Sequence, residues 1–313
     1  MNQMIRRGGN GSHKSDCIRR YQALFQQMGQ RSIILGNVLW TAYQKMVVPV
    51  GPVSDEYVIA LDKHKIDLLE YFKKCVLIRA SGGFVAEPGT WYCVLCNHSV
   101  DLALLSENSR SKVRRGLKNC SVCRIDVEFM KKHAWPVLAS AFNRYRNTRL
   151  NITEKRFKRD IQSTDGFGDI IHYWGVFEKA TGQLIAYAQN YLYNKTEVNY
   201  SALKFHPDFL RHYPSYALFY EMNRYYLREQ NFAYVNDGFR SLLHETNIQD
   251  FLITKFFFKK QPVKLKIHYR PFLGWCMSGT YSFRHLLGKL NPALAALYKL
   301  EEINRSSPIE KDN

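Results

Sequence analysis

Alternation of apolar and polar residues predicts several β-strands in the second half of the chain. It is clearest from Val263 to Tyr269, where every second residue is apolar. The runs from His172 to Phe177, Leu184 to Tyr193 and Glu197 to Phe205 are also typical of strands. The connection Lys179–Gly182 places a glycine where a hairpin turn needs a positive φ. We therefore expect an antiparallel hairpin followed by a third strand.

Two predicted helices separate the later strands. The first runs from Ser215, a suitable N-cap, to Glu229 and places Leu218 and Met222 on one face. A short buried strand follows at Phe232–Val235. The second helix begins near Thr246, where the local sequence fits a capping box. The predicted order in the second half is β-β-β-α-β-α-β.

The first half of the chain contains shorter predicted helices and strands. A helix from Ile66 to Lys74 should place Ile66, Leu69 and Phe72 on one side, and a short helix is expected around Ile18–Met28. Further strands are predicted at Val38–Trp40, Met46–Val48, Cys75–Ile78 and Trp91–Cys96. We expect a flexible basic arm at 1–30, an N-terminal lobe at 31–125, a main domain at 126–270 and a C-terminal helical tail at 271–313.

Composition and net charge indicate a packed core and limit the classes of binding partner. Hydrophobic residues make up 46% of the 313 residues and aromatic residues 14%, which is ample for a packed core. Lys and Arg total 45 against 27 Asp and Glu, a formal net charge of +18. Such an excess favours an anionic partner. Nucleic acid, the phosphates of CoA, a phospholipid surface and a phosphorylated precursor all satisfy this condition.

The N-terminus lacks the pattern of an export signal, because Arg6 and Arg7 are followed by a polar, Gly-rich stretch. No apolar run reaches the ~18 residues typical of a membrane span. We therefore predict no transmembrane segment and a cytoplasmic location, with peripheral contact at the inner membrane face as an alternative.

The seven cysteines include two C-x-x-C pairs, at Cys93–Cys96 and Cys120–Cys123. Two such pairs can form a zinc site. Val94 and Leu95, however, favour an extended strand, in which Cys93 and Cys96 would point to opposite faces. We predict reduced thiols and no metal, and keep structural zinc as the alternative.

Three segments resemble FemAB-type peptidoglycan-bridge aminoacyltransferases, which belong to the GNAT superfamily. They are the basic helix Ser109–Lys118, the helix and strand from Pro214 to Gly238, and the Phe-rich helix Asp250–Phe258. The resemblance implies an α/β (α+β) fold: a mostly antiparallel twisted sheet of GNAT type, flanked by helices, with a reduced N-terminal GNAT-like lobe. The domain at 126–270 would then be the GNAT-like acyltransferase domain.

The resemblance also implies roles for individual residues. Lys255 would stabilise the oxyanion, and Asp237 would accept or orient the proton of the attacking amine. Each residue also has a purely structural alternative. Lys255 would extend past its apolar neighbours to reach water, and Asp237 would only form a turn at Asn236–Gly238. The substrate-binding residues would be Ser201, Ala202, Leu203, Lys204, His206, Arg211, Ser215, Tyr216, Asn236 and Arg240. The anion-binding residues would be Arg110, Lys112, Arg114, Arg115 and Lys118.

The function expected from this resemblance is acyl or aminoacyl transfer to an amine, by direct attack in a ternary complex and without a metal. The donor would be an acyl-CoA or an aminoacyl-tRNA, and the acceptor an amino sugar, a cell-envelope precursor or a peptide amine. The alternative is a non-catalytic basic module on a GNAT scaffold that binds RNA or an anionic membrane.

Overall fold

A computed structural model describes residues 11–99, 101–143, 151–242 and 247–306. Its strands are β1 Ser32–Leu35, β2 Val38–Tyr43, β3 Met46–Val50, β4 Leu77–Phe84, β5 Tyr92–Cys96, β6 Cys120–Ile125, β7 Ile171–Glu178, β8 Leu184–Tyr193, β9 Glu197–Phe205, β10 Tyr234–Phe239 and β11 Lys259–Tyr269. Its helices are α1 Gly11–Gln27, α2 Glu56–Tyr71, α3 Glu107–Asn119, α4 Val127–His133, α5 Trp135–Asn143, α6 Glu154–Gln162, α7 Pro214–Asn223, α8 Asn247–Phe256, α9 Pro271–Thr280, α10 Arg284–Leu290 and α11 Pro292–Ser306.

The eleven strands form one sheet in the order β1-β2-β3-β4-β11-β5-β10-β9-β8-β7-β6. Two neighbouring pairs, β3–β4 and β9–β10, are parallel, and the other pairs are antiparallel. This confirms the predicted fold class, a mostly antiparallel sheet flanked by helices. The predicted order β-β-β-α-β-α-β is present as β7-β8-β9-α7-β10-α8-β11.

The two halves of the sheet repeat one topology. In the first half an antiparallel meander, β1-β2-β3, is followed by α2 and by β4, which lies parallel to β3. In the second half β7-β8-β9 is followed by α7 and by β10, which lies parallel to β9. The first half is therefore a small version of the second.

The halves exchange their last strands. β5, from the first half, lies against β10 of the second half, and β11, from the second half, lies against β4 of the first. The two exchanged strands also pair with each other, Lys259 opposite Leu95 and Pro262 opposite Tyr92. The strands of residues 170–270 therefore lie in one mostly antiparallel sheet, as predicted, but β5 of the first half is inserted between β10 and β11.

The two faces of the second half are covered by different helices. α3, α7 and α8 cover one face and contribute Val113, Phe219 and Phe256 to its core. α1, α4, α5 and α6 cover the other face, with Tyr21 and Leu24 of α1 almost fully buried. The helix expected around Ile18–Met28 is thus present and packed. Residues 1–10 of the expected arm lie outside the described residues.

Two helix boundaries differ from prediction. α2 begins at Glu56, ten residues before the predicted start, and Ile66, expected on the apolar side, is 65% exposed. The reason is a kink at His64 (φ −120°, ψ 15°), which shifts the phase of the helix. α8 ends at Phe256 because Phe257 is left-handed (φ 59°), so β11 begins earlier than expected, at Lys259. The predicted cap Thr246 lies outside the described residues.

No helix within the described ranges is both long and apolar enough to cross a bilayer.

Candidate active site

The parallel strands β9 and β10 separate soon after they meet. They pair at three positions, the last of which is Asn199 opposite Asn236. Beyond this point β9 continues to Phe205 beside β8 alone. In the described structure, the amides of Ser201–Phe205 that point away from β8 therefore have no strand partner. Unpaired backbone donors of this kind need water or a ligand.

A β-bulge marks the start of the separation. Asn190 lies opposite Tyr200 and Gln189 opposite Ala202, so Ser201 is an extra residue in β9. The bulge reverses the alternation of the side chains that follow it. Tyr200 and Leu203 therefore both pack on the sheet face that α7 covers, although they are three residues apart. Ser201 itself is exposed, and the residues after it are half-buried. The predicted segment at 201–204 thus lines an opening in the sheet.

The N-terminus of α7 faces this opening from the end of the β9–α7 connection. Tyr213, at the N-cap, is left-handed (φ 57°) and makes no side-chain cap, and the first turn holds no acidic residue. Pro214 has no N–H and the Tyr216 amide donates to the Tyr213 carbonyl (3.1 Å), so the start of α7 offers the Ser215 amide and a partial positive charge to an anion. Ser215 in this first turn is half-buried, whereas Tyr216 is buried in the core.

Two cations of α3 lie against this helix start. The guanidinium of Arg115 donates a hydrogen bond to the Tyr213 hydroxyl (3.2 Å) and lies 4.7 Å from the centre of its ring. Lys112 Nζ lies 5.6 Å from the centre of the Tyr216 ring. The contact depends on Gly116, because a Cβ there would lie 2.7 Å from the Tyr213 carbonyl oxygen. α3 therefore holds two cations beside the start of α7.

The other three predicted anion-binding residues lie elsewhere on α3. At 100° per residue, Arg110, Arg114 and Lys118 point away from α7. Arg114 and Lys118 are exposed, and Arg110 is half-buried. Arg211 is also exposed, in the 3₁₀ turn before α7.

The corresponding position in the first half has the opposite charge. The start of α2 carries Asp55 and Glu56. Asp55 Oδ1 accepts a hydrogen bond from the Gly83 amide (3.1 Å) and lies 3.2 Å from Lys264 Nζ. A carboxylate of the protein itself thus occupies the place where the second half presents cations. Only the site at α7 has a charge suited to an external anion.

Asp237 lies on β10 just beyond the point of separation. The residue as a whole is half-buried, but burial of its carboxyl raises the pKa to about 7, and the hydrogen bond from Gln249 of α8 partly offsets this rise. Gln249 also donates to the main-chain oxygen of Phe239 (3.3 Å). A carboxyl that titrates near neutral pH can take up and release a proton during a reaction.

Lys255 lies in the third turn of α8 and is half-buried. One turn earlier, Phe251 packs against Tyr216 of α7, with 5.0 Å between ring centres. Lys255 therefore lies on the flank of α8 nearest α7. Among the described residues, Lys255 makes no ion pair or hydrogen bond. Its part in a reaction stays a prediction.

The remaining predicted residues have structural partners. Arg240 donates to the Thr90 carbonyl (2.9 Å), and its guanidinium lies 5.9 Å from the Tyr92 ring centre. The Lys204 ammonium lies 5.0 Å from the Phe142 ring centre, and burial lowers its pKa. His206 packs edge-on against Phe209 in the turn after β9.

A buried carboxyl that the sequence did not reveal lies on the opposite face of β9. Glu197 accepts hydrogen bonds from the Tyr234 hydroxyl (2.6 Å) and from the Asn236 amide (2.8 Å). Asn236 in turn accepts from the Gly238 amide and so shapes the end of β10. Burial raises the pKa of Glu197 to about 7, although Tyr234 and the Val53 amide favour the charged form. An isolated Glu at the start of a strand is typical of an exposed position and gave no signal.

Glu197 should make stability depend on pH. Its carboxyl titrates at about 7 when folded and at 4.5 when unfolded, so between these values the folded state keeps a proton that the unfolded state releases. The contribution is complete below pH 4.5 and is lost as pH rises through 7, a change of about 3 kcal/mol. Glu197→Gln should remove this change, as measured by urea unfolding at pH 4.5 and pH 8. Equal pH dependence in both proteins would contradict the assignment.

A groove of about 510 Å³ opens where the two halves meet. Its wall includes Asp55 and Phe84 from the first half, Tyr234 from the second half, and Asn97 and Lys259 next to or within the exchanged strands. Tyr234 connects this groove to the Glu197 carboxyl through its hydroxyl. The groove therefore bears both charges and lies beside β10.

The cysteines follow the predicted strand geometry. Cys93 packs on one face of β5 with Trp91, whereas Cys96 packs on the other face with Val94. Burial raises the pKa of Cys93 to about 12 and that of Cys120 to about 11. Within the described ranges, no cluster of three or more His, Cys, Asp or Glu side chains is placed to hold a metal ion.

Comparison with known proteins identifies the fold. No protein family model matches the chain, and no curated protein matches it in sequence. The structure is similar to that of FemX, with a TM-score of 0.58 at 11% identity over 88% of this chain and 99% of FemX. Lower similarity is found to L-PGS from Bacillus licheniformis (TM-score 0.48, 12% identity, 86% and 94% covered) and to the tandem GNAT protein from the clavulanic acid biosynthesis pathway (0.45, 11%, 74% and 78%). The match to FemX confirms that this chain has a GNAT-like fold of the FemAB type.

Proposed function

We propose that the chain is an acyltransferase that moves an acyl or aminoacyl group from an anionic donor to an amine. The observation that carries this proposal is the opening between β9 and β10, with free strand amides at the bulge and an uncapped, cation-flanked helix start beside it. Such an arrangement can bind the phosphates of a donor and hold its carbonyl oxygen. The same position in the first half is filled by Asp55, so the second half would hold the donor.

The reaction would be a direct attack in a ternary complex. The amine nitrogen bonds to the acyl carbon, and the ester or thioester bond to the donor breaks. Lys255 and the β9 amides would stabilise the oxyanion. Asp237, with its raised pKa, would accept the proton of the amine, which then passes to the leaving oxygen or sulfur. The groove beside Tyr234 is a suitable place for the acceptor, because Asp55 can attract an amine that arrives as an ammonium ion. This ion must release one proton to solvent before its nitrogen attacks the acyl carbon.

The connection between β9 and α7 favours aminoacyl-tRNA over acyl-CoA as the donor. Residues 206–213 contain no glycine, so the backbone does not form the glycine-rich cradle that commonly surrounds a pyrophosphate. Phosphates would instead be held by side chains such as Lys112 and Arg115. Side-chain recognition suits the spaced phosphates of an RNA.

Transfer can be tested with a panel of labelled donors. Purified protein would be incubated with aminoacyl-tRNAs or acyl-CoAs and with amino-sugar, peptide and envelope-precursor amines, and products would be detected by their mass shift. Transfer from one donor class, lost with Asp237→Asn, is the expected result. Tight binding of tRNA without transfer from any donor would instead support a non-catalytic basic module on the same scaffold.

Charge reversal tests the donor site. Lys112→Glu with Arg115→Glu should weaken binding of tRNA or CoA by roughly tenfold or more at low salt, and added salt should mimic this loss. Arg114→Glu with Lys118→Glu is a matched control, since it changes the same charge on the same helix but on the side away from α7. If both double variants lose the same binding affinity, α3 attracts the anion only through its total charge, and Lys112 and Arg115 have no special role.

A further inference from the structure

Five large apolar side chains are exposed together in the region after the sheet. Phe272 and Trp275 of α9 are 79% and 80% exposed, and Phe283, Leu286 and Leu290 are 63%, 64% and 74% exposed. We call these five residues the C-terminal apolar surface. Single exposed apolar residues are common, but five within nineteen residues indicate an interaction site.

The spacing of these residues places them on the outward faces of their helices. Phe272 and Trp275 are three residues apart on α9, and Phe283, Leu286 and Leu290 follow the i, i+3, i+7 pattern of one helical face. The other sides of the same segments are anchored to the protein. Met277 is buried, and the Thr280 hydroxyl bonds to the Tyr298 hydroxyl (2.6 Å). The apolar side chains therefore face outward from a fixed base.

The charge near this surface is mostly positive. Residues 270–300 contain four cations, Arg270, Arg284, Lys289 and Lys299, and no Asp or Glu, while Glu302 of α11 lies 3.9 Å from the Arg284 guanidinium. Lys289 lies within the surface and is exposed, and Arg284 stacks on Tyr281 at 4.5 Å from the ring centre. Apolar and aromatic side chains bordered by cations are typical of helices that lie in the interface of an anionic bilayer.

Self-association fits the surface less well. In a twofold dimer each copy would present the same patch, so Lys289 would meet cations of the partner, while the neighbouring acid Glu302 already lies 3.9 Å from Arg284 of its own chain. Nucleic acid would match the charge, but it offers no apolar environment for Leu286 and Leu290. A lipid interface satisfies both properties, since tryptophan and phenylalanine favour the headgroup boundary and the cations meet acidic lipids.

We propose that the C-terminal apolar surface docks the protein on an anionic lipid bilayer. α9 and α10, at ten and seven residues, are short and would lie in the plane of the interface. Phe272, Trp275, Phe283, Leu286 and Leu290 would enter the boundary between headgroups and acyl chains. This attachment is independent of the proposed acyl transfer, because it uses none of the residues at the β9–β10 opening.

Trp275 reports directly on such docking. Among the five tryptophans, Trp40, Trp91 and Trp174 are buried and Trp135 is half-buried, so Trp275 supplies the exposed fluorophore. Vesicles that contain phosphatidylglycerol should shift its emission to shorter wavelength, whereas pure phosphatidylcholine vesicles should give a much smaller shift. Trp275→Phe should remove the shift while vesicle flotation still shows binding.

Substitutions should then locate the contact. Trp275→Ser with Leu290→Ser should weaken flotation with phosphatidylglycerol vesicles by roughly tenfold or more. Ile66→Ser with Leu104→Ser is the matched control, since these side chains are 65% and 63% exposed but lie far along the chain from the surface, and it should bind as the unchanged protein does.

Three outcomes would overturn the proposal: vesicle binding that survives Trp275→Ser with Leu290→Ser, equal binding to phosphatidylcholine, or dimerisation that this pair abolishes without any vesicle binding. Transfer to a soluble amine separates the two proposals, because the pair should leave it unchanged. A protein that binds vesicles through Trp275 but transfers no acyl group would contradict only the proposed function.

Discussion

Lys255→Met is expected to lower the turnover of acyl transfer by roughly a hundred- to a thousandfold, the usual loss when one oxyanion donor is removed. The fold should survive, because Lys255 is half-buried and bonds to none of the described residues. Lys255→Arg should restore little activity, since a planar guanidinium does not replace a compact ammonium. Single-turnover rates with a bound donor would measure the effect on the chemical step.

A helical lysine elsewhere provides the control for this prediction. Lys63 is exposed on α2, so Lys63→Met removes the same charge far from the proposed site. Its turnover should equal that of the unchanged protein. Full turnover with Lys255→Met would show that Lys255 only extends past Phe251 and Phe256 to reach water.

Tyr226→Phe is expected to lower the free energy of unfolding by about 3 kcal/mol, because it removes the shared partner of three buried groups. The Tyr226 hydroxyl accepts hydrogen bonds from Trp174 Nε1 (2.8 Å) and from the Asn190 amide (3.2 Å). It also lies 3.1 Å from His172 Nδ1. Burial lowers the pKa of His172 to about 3, so the ring is neutral and its Nδ1 can accept the hydroxyl proton.

The adjacent tyrosine, Tyr225, provides the control, because its hydroxyl lies outside this hydrogen-bond network. Tyr225 is half-buried and accepts one long hydrogen bond, from Arg124 (3.4 Å). Tyr225→Phe should therefore change the unfolding free energy by less than about 0.5 kcal/mol. Urea unfolding of both variants measures the difference. If Tyr226→Phe costs no more than Tyr225→Phe, the three donors and acceptors must find other partners.

Both tyrosines lie in a π-helical turn, Arg224–Glu229, that continues α7. The sequence predicts a continuous helix over Ser215–Glu229, because helical periodicity does not distinguish a π-turn from an α-turn. The widened turn appears where Tyr226 must reach Trp174, His172 and Asn190 at once. π-turns are frequent at such specialised positions.

Local patterns predicted many of the elements. β7, β8 and β9 follow from apolar runs bounded by turn residues, although helices cover both of their faces. β10 was predicted as a short buried strand at Phe232–Val235 and lies at Tyr234–Phe239. The exchange of β5 and β11 could not be predicted, because no local pattern records which distant strand lies beside another. The repeat of one topology in the two halves was also hidden, since it is a repeat of connections and not of residues.

The candidate site was predictable only in part. Ser201 and Asp237 were singled out by the resemblance to FemAB-type enzymes, and the structure places them at the opening between β9 and β10. Glu197 was missed because its hydrogen-bond partners, Val53 and Tyr234, are distant in sequence and are brought to it by the tertiary fold. The sequence also could not show which of the five cations of α3 lie at the site. The close packing of Gly116 on α7 determines that Lys112 and Arg115 face α7.

The exchanged strands have a consequence for folding on the ribosome. β5 is made early but completes its pairing only when residues 234–239 and 259–262 have emerged, some 140 to 170 residues later. Until then β4 and β5 expose hydrogen-bonding edges, which are prone to pair with other chains. Contacts so distant in sequence slow folding. The nascent first half would therefore depend on a chaperone or on rapid synthesis, and once closed the two halves should unfold together as one cooperative unit.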